Sequence, residues 1–165
     1  MRCGRIPAGY LRKRFGFRFL PDFDPGLWER SKTAADSAVR KLPPGMVAGS
    51  DLDRTAVKAA RTNCRMLPGG GNISILRKDF NDIPALEGRV ILCNPPYGIR
   101  MRGDEELARF YKLFGDFLKQ RCTGSEAYLY FGNRDMLKQF GLRPSWKRPI
   151  RHAGLDGRLV KYELY

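Results

Sequence analysis

Histidine, paired cysteines and long apolar runs are scarce or missing in this chain of 165 residues. The one histidine is His152, and no two cysteines are spaced as C-x-x-C, so the sequence offers no zinc site. No run approaches the roughly 20 apolar residues that a membrane-spanning helix requires. The 42% hydrophobic content is that of a globular chain, which disfavours disorder as well as membrane insertion.

The four cysteines stand alone in the sequence: Cys3, Cys64, Cys93 and Cys122. Because nothing places His152 beside any of them, we expect structural thiols rather than a Cys–His nucleophile pair. The N-terminus has no apolar signal-peptide core, so a cytoplasmic location with reduced thiols is expected. The length fits one domain, which we assign to residues 1–165.

Acidic residues are also few, since 17 Asp and Glu face 31 Lys and Arg and leave a net charge of +14. A positive field concentrates polyanions, so an acidic partner is predicted, with nucleic acid first and a merely solvated basic surface as the alternative. Two basic clusters bracket a more balanced middle. The N-terminal cluster contains Arg2, Arg5, Arg12, Lys13, Arg14 and Arg18, and the C-terminal cluster contains Arg143, Lys147, Arg148, Arg151, Arg158 and Lys161.

The hydrophobic pattern alternates between strand and helix periods along the chain. It predicts strands at 46–50, 73–79, 90–93, 127–131 and 159–164, and helices at 25–41, 53–64, 107–118 and 133–140. Residues 15–23 are expected to form an aromatic loop, and residues 154–157 a hairpin turn. The strands at 90–93 and 127–131 are expected to be buried on both faces. This order indicates an α/β doubly wound fold, mostly parallel, with a C-terminal antiparallel hairpin.

Polar residues follow two of the predicted parallel strands, where ligands bind in such folds. Asp51 closes the first strand and is suited to accept from both hydroxyls of a ribose, and Asp79 closes the second and is suited to an exocyclic amine. The alternatives are structural. Asp51 or Asp53 would cap the next helix, and Asp79 would open a turn with Asn81 and Asp82.

The third strand is followed by Asn94-Pro95-Pro96-Tyr97. Two prolines fix the backbone and remove two N–H donors, which leaves acceptors: the Asn94 side-chain oxygen and the Pro95 carbonyl. These groups would hold a planar amino group, and Tyr97 offers a flat face for a base taken out of its stack. Positioning of this kind orients the nitrogen lone pair towards an electrophile without a strong base. The alternative is an ordinary proline-rich loop.

This turn resembles the motif of S-adenosylmethionine-dependent methyltransferases that modify exocyclic amino groups of nucleic-acid bases. Residues 49–53 resemble the strand-end acid that binds the cofactor ribose in that family, and residues 78–80 the acid that meets the adenine amine. A finer resemblance is to the THUMP-associated guanine-N2 methyltransferases of ribosomal RNA and tRNA. It rests on residues 94–100, on residues 12–28 and on the closing Gly-Leu-Asp-Gly-Arg-Leu of residues 154–159.

The resemblance implies a Rossmann-like class I fold, S-adenosylmethionine as cofactor and no metal. The implied cofactor-binding residues are Asp51 on the ribose, Leu52 and Phe80 on the adenine ring, Asp79 on its amine, and Asn94. Methyl transfer would be a direct displacement from sulfonium to nitrogen.

The implied catalytic turn comprises Asn94, Pro95, Pro96 and Tyr97, with Asn94 and Pro95 on the target amine and Tyr97 stacking on the base. For RNA binding the resemblance and the charge pattern together favour the two basic clusters and Arg100.

Two parts of the family pattern are not found in this sequence: the first strand with its glycine-rich loop, and the THUMP domain that precedes the catalytic domain. We therefore expect the chain to be the C-terminal portion of a longer RNA-modifying enzyme. Two alternatives stay open: an adenine-N6 nucleic-acid methyltransferase, which would use the same turn, and a basic RNA-binding fragment that does not catalyse.

Overall fold

The structure is a computed structural model that describes residues 4–96, 104–152 and 155–165. Its contacts divide the chain into two compact units, Met1–Asp79 and Phe80–Tyr165. The ten helices and strands of the described residues are α1 (Pro25–Ser37), β1 (Ala48–Asp51), α2 (Arg54–Arg65), β2 (Ser74–Arg77), β3 (Val90–Cys93), α3 (Asp104–Arg121), β4 (Glu126–Phe131), α4 (Met136–Gln139), β5 (Trp146–His152) and β6 (Leu155–Glu163).

In the first unit, β1 and β2 pair in parallel, with Asp51 opposite Arg77 at their carboxyl ends. Both helices begin where the sequence predicts, because an aspartate caps each one. The Asp24 carboxylate accepts from the backbone N–H of Leu27 at 2.9 Å, and Asp53 accepts from two N–H groups of the first turn of α2.

The first helix and strand are shorter than predicted. Helix α1 ends at Ser37 rather than residue 41, since the Ala38 and Val39 N–H groups close its last turn. The proline-rich segment then makes a turn that places the start of β1 at Ala48 rather than residue 46.

The predicted aromatic loop at residues 15–23 is confirmed as a non-strand segment with a single 3₁₀ turn at Gly16–Phe19. Phe15 and Phe17 stack 5.2 Å apart, and both rings lie about 5 Å from Trp28 of α1. These ring contacts fasten the loop to the helix that follows it.

The second unit contains a four-stranded sheet in the order β3-β4-β6-β5. Strand β3 is parallel to β4, and β6 is antiparallel to both of its neighbours, so the predicted antiparallel hairpin is present. One face of the sheet packs against α3 and α4. The fully buried members of this core include Tyr111, Leu118, Leu129, Phe131, Phe140, Val160 and Tyr162.

The prediction that β3 is buried on both faces is wrong, although its bounds are correct. Ile91 and Cys93 pack against the core, whereas Val90 and Leu92 lie on the opposite face and are 68% and 77% exposed. Strand β4 likewise alternates between fully and partly buried positions. The helices α3 and α4 cover one face of these strands, and side chains alternate between faces along a strand.

The C-terminal region departs furthest from the prediction. Helix α4 has four residues, whereas a helix was predicted at 133–140, and strand β5 was missed. Strand β5 carries Pro149 and several cations, a composition that is depleted in central strands but tolerated at a sheet edge, where β5 lies. Gly157 belongs to β6 rather than to the predicted turn, and Gly154 lies outside the described residues.

Candidate active site

The turn Asn94-Pro95-Pro96 leaves the carboxyl end of β3. Because β3 and β4 are parallel, with Cys93 opposite Leu129, the turn lies at the same sheet edge as the end of β4. Asn94 is exposed and Pro95 is fully buried. The turn therefore presents the Asn94 amide to solvent from a backbone that is anchored in the core.

A tyrosine of α3 anchors this turn. The Tyr111 hydroxyl donates to the Pro96 carbonyl at 3.1 Å, and its fully buried ring stacks on Phe131 with centroids 5.3 Å apart. The sequence predicts only that Tyr111 belongs to a helix at 107–118, and this contact was missed. The available signal was a hydroxyl-bearing ring in an otherwise phenylalanine-rich stripe, since a buried Tyr hydroxyl usually has a hydrogen-bond partner.

Three residues with predicted roles at the site or in RNA binding lie outside the described residues: Arg2, Tyr97 and Arg100. Their roles stay predictions.

The first unit holds the two predicted acids at one sheet end. Asp51 is the last residue of β1, and Asp79 lies two residues beyond the end of β2, so both follow the carboxyl ends of paired parallel strands. Of the two acids that the sequence offered as the cap of α2, Asp53 is the one that caps it. Asp51 is exposed, and its Oδ1 accepts from the Asp53 N–H at 2.8 Å.

This hydrogen bond orients the Asp51 carboxylate at the strand end. Leu52, the next residue, is 59% exposed, and its carbonyl accepts from the Arg77 guanidinium at 3.0 Å. An oriented carboxylate beside an exposed aliphatic side chain can accept hydrogen bonds from the hydroxyl groups of a ligand and pack against an adjoining apolar group.

Phe80 begins the second unit, in a 3₁₀ turn at Phe80–Asp82. Its half-buried ring packs edge-on against Phe110, Phe114 and Phe117 of α3, with centroids 5.1 to 5.7 Å apart. The aromatic cluster fixes the ring while leaving part of it accessible. The predicted cofactor residues are thus divided, with Asp51, Leu52 and Asp79 in the first unit and Phe80 and Asn94 in the second.

The buried thiol of Cys122 behaves as a structural group. Burial raises its pKa from 9.0 to about 11, so it is protonated and unreactive at neutral pH. Within residues 4–96, 104–152 and 155–165 we find no group of three His, Cys, Asp or Glu side chains that could hold a metal. No helix in those ranges is both long and apolar enough to cross a membrane.

The basic clusters differ in how their charges are engaged. In the N-terminal cluster, Arg12 lies over the Phe15 ring at 5.7 Å and Arg18 over the Phe23 ring at 5.9 Å, and neither forms an ion pair with any described residue. These guanidiniums keep their hydrogen-bond donors for a ligand.

In the C-terminal cluster, Lys161 is already paired. Its Nζ lies 2.7 Å from Glu126 and 2.9 Å from Glu163, and these two hydrogen bonds raise the pKa of the lysine. Lys161 therefore contributes less to anion binding than its place in the sequence cluster predicts.

The proline turn lies at the end of a parallel strand, on a sheet that an antiparallel hairpin closes, which agrees with the methyltransferase resemblance of the sequence. The family model described as "RMKL-like, methyltransferase domain" matches residues 2–161, and the chain belongs to this family.

The chain is similar to proteins named as RNA-modifying enzymes. It is 41% identical to a protein of Synechocystis sp. named as an RNA methyltransferase, over 97% of this chain and 42% of that protein. It is 30% identical to the ribosomal RNA large subunit methyltransferase K/L of Methylococcus capsulatus, over 96% of this chain and 22% of that protein. The chain thus spans less than half the length of these relatives.

Solved structures show the same fold at low identity. A crystal structure of the methyltransferase SMU.472 complexed with SAH matches 94% of this chain and 41% of that chain, with a TM-score of 0.78 and 22% identity. A protein of Listeria monocytogenes described as an N6-adenine-specific DNA methylase matches 98% of this chain and 41% of that chain, with a TM-score of 0.75 and 19% identity. The predicted Rossmann-like methyltransferase fold is confirmed.

Proposed function

We propose that the chain is the catalytic portion of an S-adenosylmethionine-dependent RNA methyltransferase that modifies the exocyclic N2 amine of a guanine, with ribosomal RNA as the first candidate and tRNA as the next. The observation that carries the proposal is the Asn94-Pro95-Pro96 turn at the end of β3, anchored by Tyr111. Family membership and the names of the relatives support an RNA substrate.

The turn is suited to hold an amine for attack. We assign its two N–H groups to the Asn94 side-chain oxygen and the Pro95 carbonyl, an arrangement that would direct the nitrogen lone pair towards the electrophilic methyl group. Neither acceptor is a strong base, and none is needed, because the proton leaves the nitrogen after the new bond to carbon has formed. Tyr97, outside the described residues, would stack on the base.

The chain's residues fit the cofactor. When bound, S-adenosylmethionine supplies an electrophilic methyl group on a sulfonium. We assign its ribose to the Asp51 carboxylate, its adenine ring to Leu52 and Phe80, and its amine to Asp79. The carboxylate of Asp51, oriented by the Asp53 N–H, and the exposed side chain of Leu52 support the fit.

We also propose that both units belong to one catalytic domain, residues 1–165, that acts in the cytoplasm. We also propose that a THUMP-containing region of the same enzyme helps to select the RNA. The two basic clusters and Arg100 would hold the RNA backbone, so RNA affinity should fall steeply as salt rises. A flat salt response would contradict that role.

The test is methyl transfer to RNA, with nucleoside products identified by mass spectrometry. We expect N2-methylguanosine, loss of transfer in Asn94→Ala with RNA affinity retained, and full activity in the control Asn63→Ala, an exposed amide of α2. A fully active Asn94→Ala would contradict the site assignment.

The products and ligands also separate the two alternatives. If the product is N6-methyladenosine, the target is adenine rather than guanine. The description of the Listeria protein names adenine N6 as the target of that protein. Retention of RNA binding without any response to S-adenosylmethionine would identify a binding fragment that does not catalyse.

A further inference from the structure

Three charged side chains near the end of β4 form a connected network. Asp156 accepts through Oδ1 from the Arg158 guanidinium at 2.6 Å, and through Oδ2 from the Arg134 guanidinium. The same Arg158 nitrogen donates to the Gly157 carbonyl at 2.9 Å. One carboxylate therefore holds two guanidiniums in place, and the network keeps a net positive charge.

The network lies at the same sheet edge as the catalytic turn. Strand β3 leads into the turn directly after Cys93, which lies opposite Leu129, and two residues further along β4 Phe131 pairs with Arg158 of β6. Strand β4 alone separates β6 from β3, so the end of β6 that carries Arg158 lies about 10 Å, two strand spacings, from the line of β3. All of these residues belong to the second unit.

Local structure fixes both arginines. The Asn133 side chain accepts from the Asp135 N–H at 2.9 Å and shapes the turn that carries Arg134. In β6, the Gly157 backbone lies directly against the Tyr130 ring, where a Cβ would clash with the phenol. This close approach holds the β6 backbone, and with it Arg158, against β4.

Both guanidiniums keep donors for a ligand. An arginine has five N–H groups, and the contacts within the network use only some of them. The side chains of Arg134 and Asp156 are about half exposed, and that of Arg158 is 20% exposed. Forked donors held by a carboxylate are the arrangement that binds a phosphate bidentately.

We propose that Arg134 and Arg158, preset by Asp156, form a fork that binds a backbone phosphate of the RNA beside the target nucleotide. The proposal rests on the proposed RNA substrate and adds a binding site to it. It gives a role to Asp156-Gly157-Arg158. These residues belong to the closing segment that resembles the methyltransferase family, and they are not part of the catalytic turn.

The test compares variants of equal charge by fluorescence anisotropy with a labelled single-stranded RNA at several salt concentrations. Arg134→Gln with Arg158→Gln removes two cations at the catalytic edge. Lys112→Gln with Lys119→Gln removes two exposed cations from α3 and is the matched control. We expect the arginine pair to weaken RNA binding about tenfold more than the control. It should also reduce the salt slope by about 0.7, the value for one phosphate contact on a single strand.

Asp156→Asn separates a phosphate site from a structural brace. If the arginines bind phosphate, Asp156→Asn keeps both cations and removes a competing anion, so any loss of RNA affinity from the weaker presetting is much smaller than the loss in the arginine variants. If the three residues only brace the hairpin, Asp156→Asn weakens binding as much as the arginine variants do, which overturns the proposal. Equal losses in the arginine and lysine pairs overturn it too. Circular dichroism and urea unfolding identify any variant that has lost its fold; if Arg158→Gln has lost it, Arg134→Gln alone is compared with Lys112→Gln alone, so that the charges stay matched.

The experiment distinguishes this inference from the proposed function. RNA binding that depends on the two arginines, in a chain that ignores S-adenosylmethionine, supports the phosphate site while the methyltransferase assignment fails. If the chain binds S-adenosylmethionine but its RNA affinity does not depend on the two arginines, the phosphate site is wrong and the methyltransferase assignment stands.

Discussion

Removing the hydroxyl of Tyr111 should damage the catalytic turn while leaving the core packed. In Tyr111→Phe the ring that stacks on Phe131 is kept, and the donor to the Pro96 carbonyl is lost. A net protein hydrogen bond is worth about 1 kcal/mol, and a buried acceptor left without a donor costs about 1–3 kcal/mol. We therefore expect the free energy of unfolding to fall by about 1–2 kcal/mol.

The same change should slow catalysis more than it weakens binding. The hydrogen bond fixes the carbonyl two residues after Asn94, and a misplacement of about 1 Å in an active site can cost about 100-fold in rate. We expect kcat for methyl transfer to fall by at least about tenfold, with the RNA dissociation constant unchanged. Urea unfolding, single-turnover methyl transfer and anisotropy measure the three quantities.

Tyr162→Phe is the matched control. Its hydroxyl is buried in the same core and has no hydrogen-bond partner among the described residues, and burial raises its pKa. Removing it should leave stability unchanged or slightly higher, with kcat unaffected. The reasoning is refuted if the two variants behave alike, or if Tyr111→Phe keeps the full rate.

Three further predictions concern stability and pH. Gly157→Ala should lower the free energy of unfolding by about 1–3 kcal/mol in urea, because the added Cβ meets the Tyr130 ring; an unchanged midpoint would contradict this contact. The Cys122 thiol has a folded pKa of about 11, above its ordinary 9.0, so its contribution to stability is complete below pH 9 and is lost as the pH rises towards 11. In Cys122→Ala, the fall in the free energy of unfolding between pH 9 and 11 that the thiol causes should disappear, as measured by urea unfolding at each pH. The same dependence on pH in the variant and in the parent chain would count against the burial of the thiol as its cause. Asp53→Ala should cost about 1 kcal/mol in urea by removing the α2 cap, whereas Asp51→Ala should cost less and abolish cofactor binding; equal stability losses would contradict this division.

Local signals were sufficient where one residue decides the structure. Asp53 was one of two candidates for the cap of α2, and Asp24 precedes α1 in the same way; in both places a short acceptor before a helical pattern satisfies free backbone N–H groups. The bounds of β3 were predicted correctly because a continuous apolar run ends there at a proline turn. The order of strands and helices was enough to predict an α/β fold.

Features that depend on distant partners could not be predicted in this way. Whether Leu92 is buried depends on what covers its side of the sheet, and it is 77% exposed. Strand β5 exists because β6 offers it a pairing edge, which the cations and Pro149 of its own sequence do not reveal. The hydrogen bond from Tyr111 to Pro96 joins residues 15 positions apart, and periodicity records only that Tyr111 faces the core.

The most direct test of the account is a calorimetric titration of the purified chain with S-adenosylmethionine, repeated with Asp51→Ala and with the surface control Asp36→Ala. The account predicts one-site binding that Asp51→Ala removes and Asp36→Ala retains, because only Asp51 presents an oriented carboxylate at the end of β1. A folded chain that does not bind the cofactor, or that binds it equally well without Asp51, would contradict the proposed methyltransferase site.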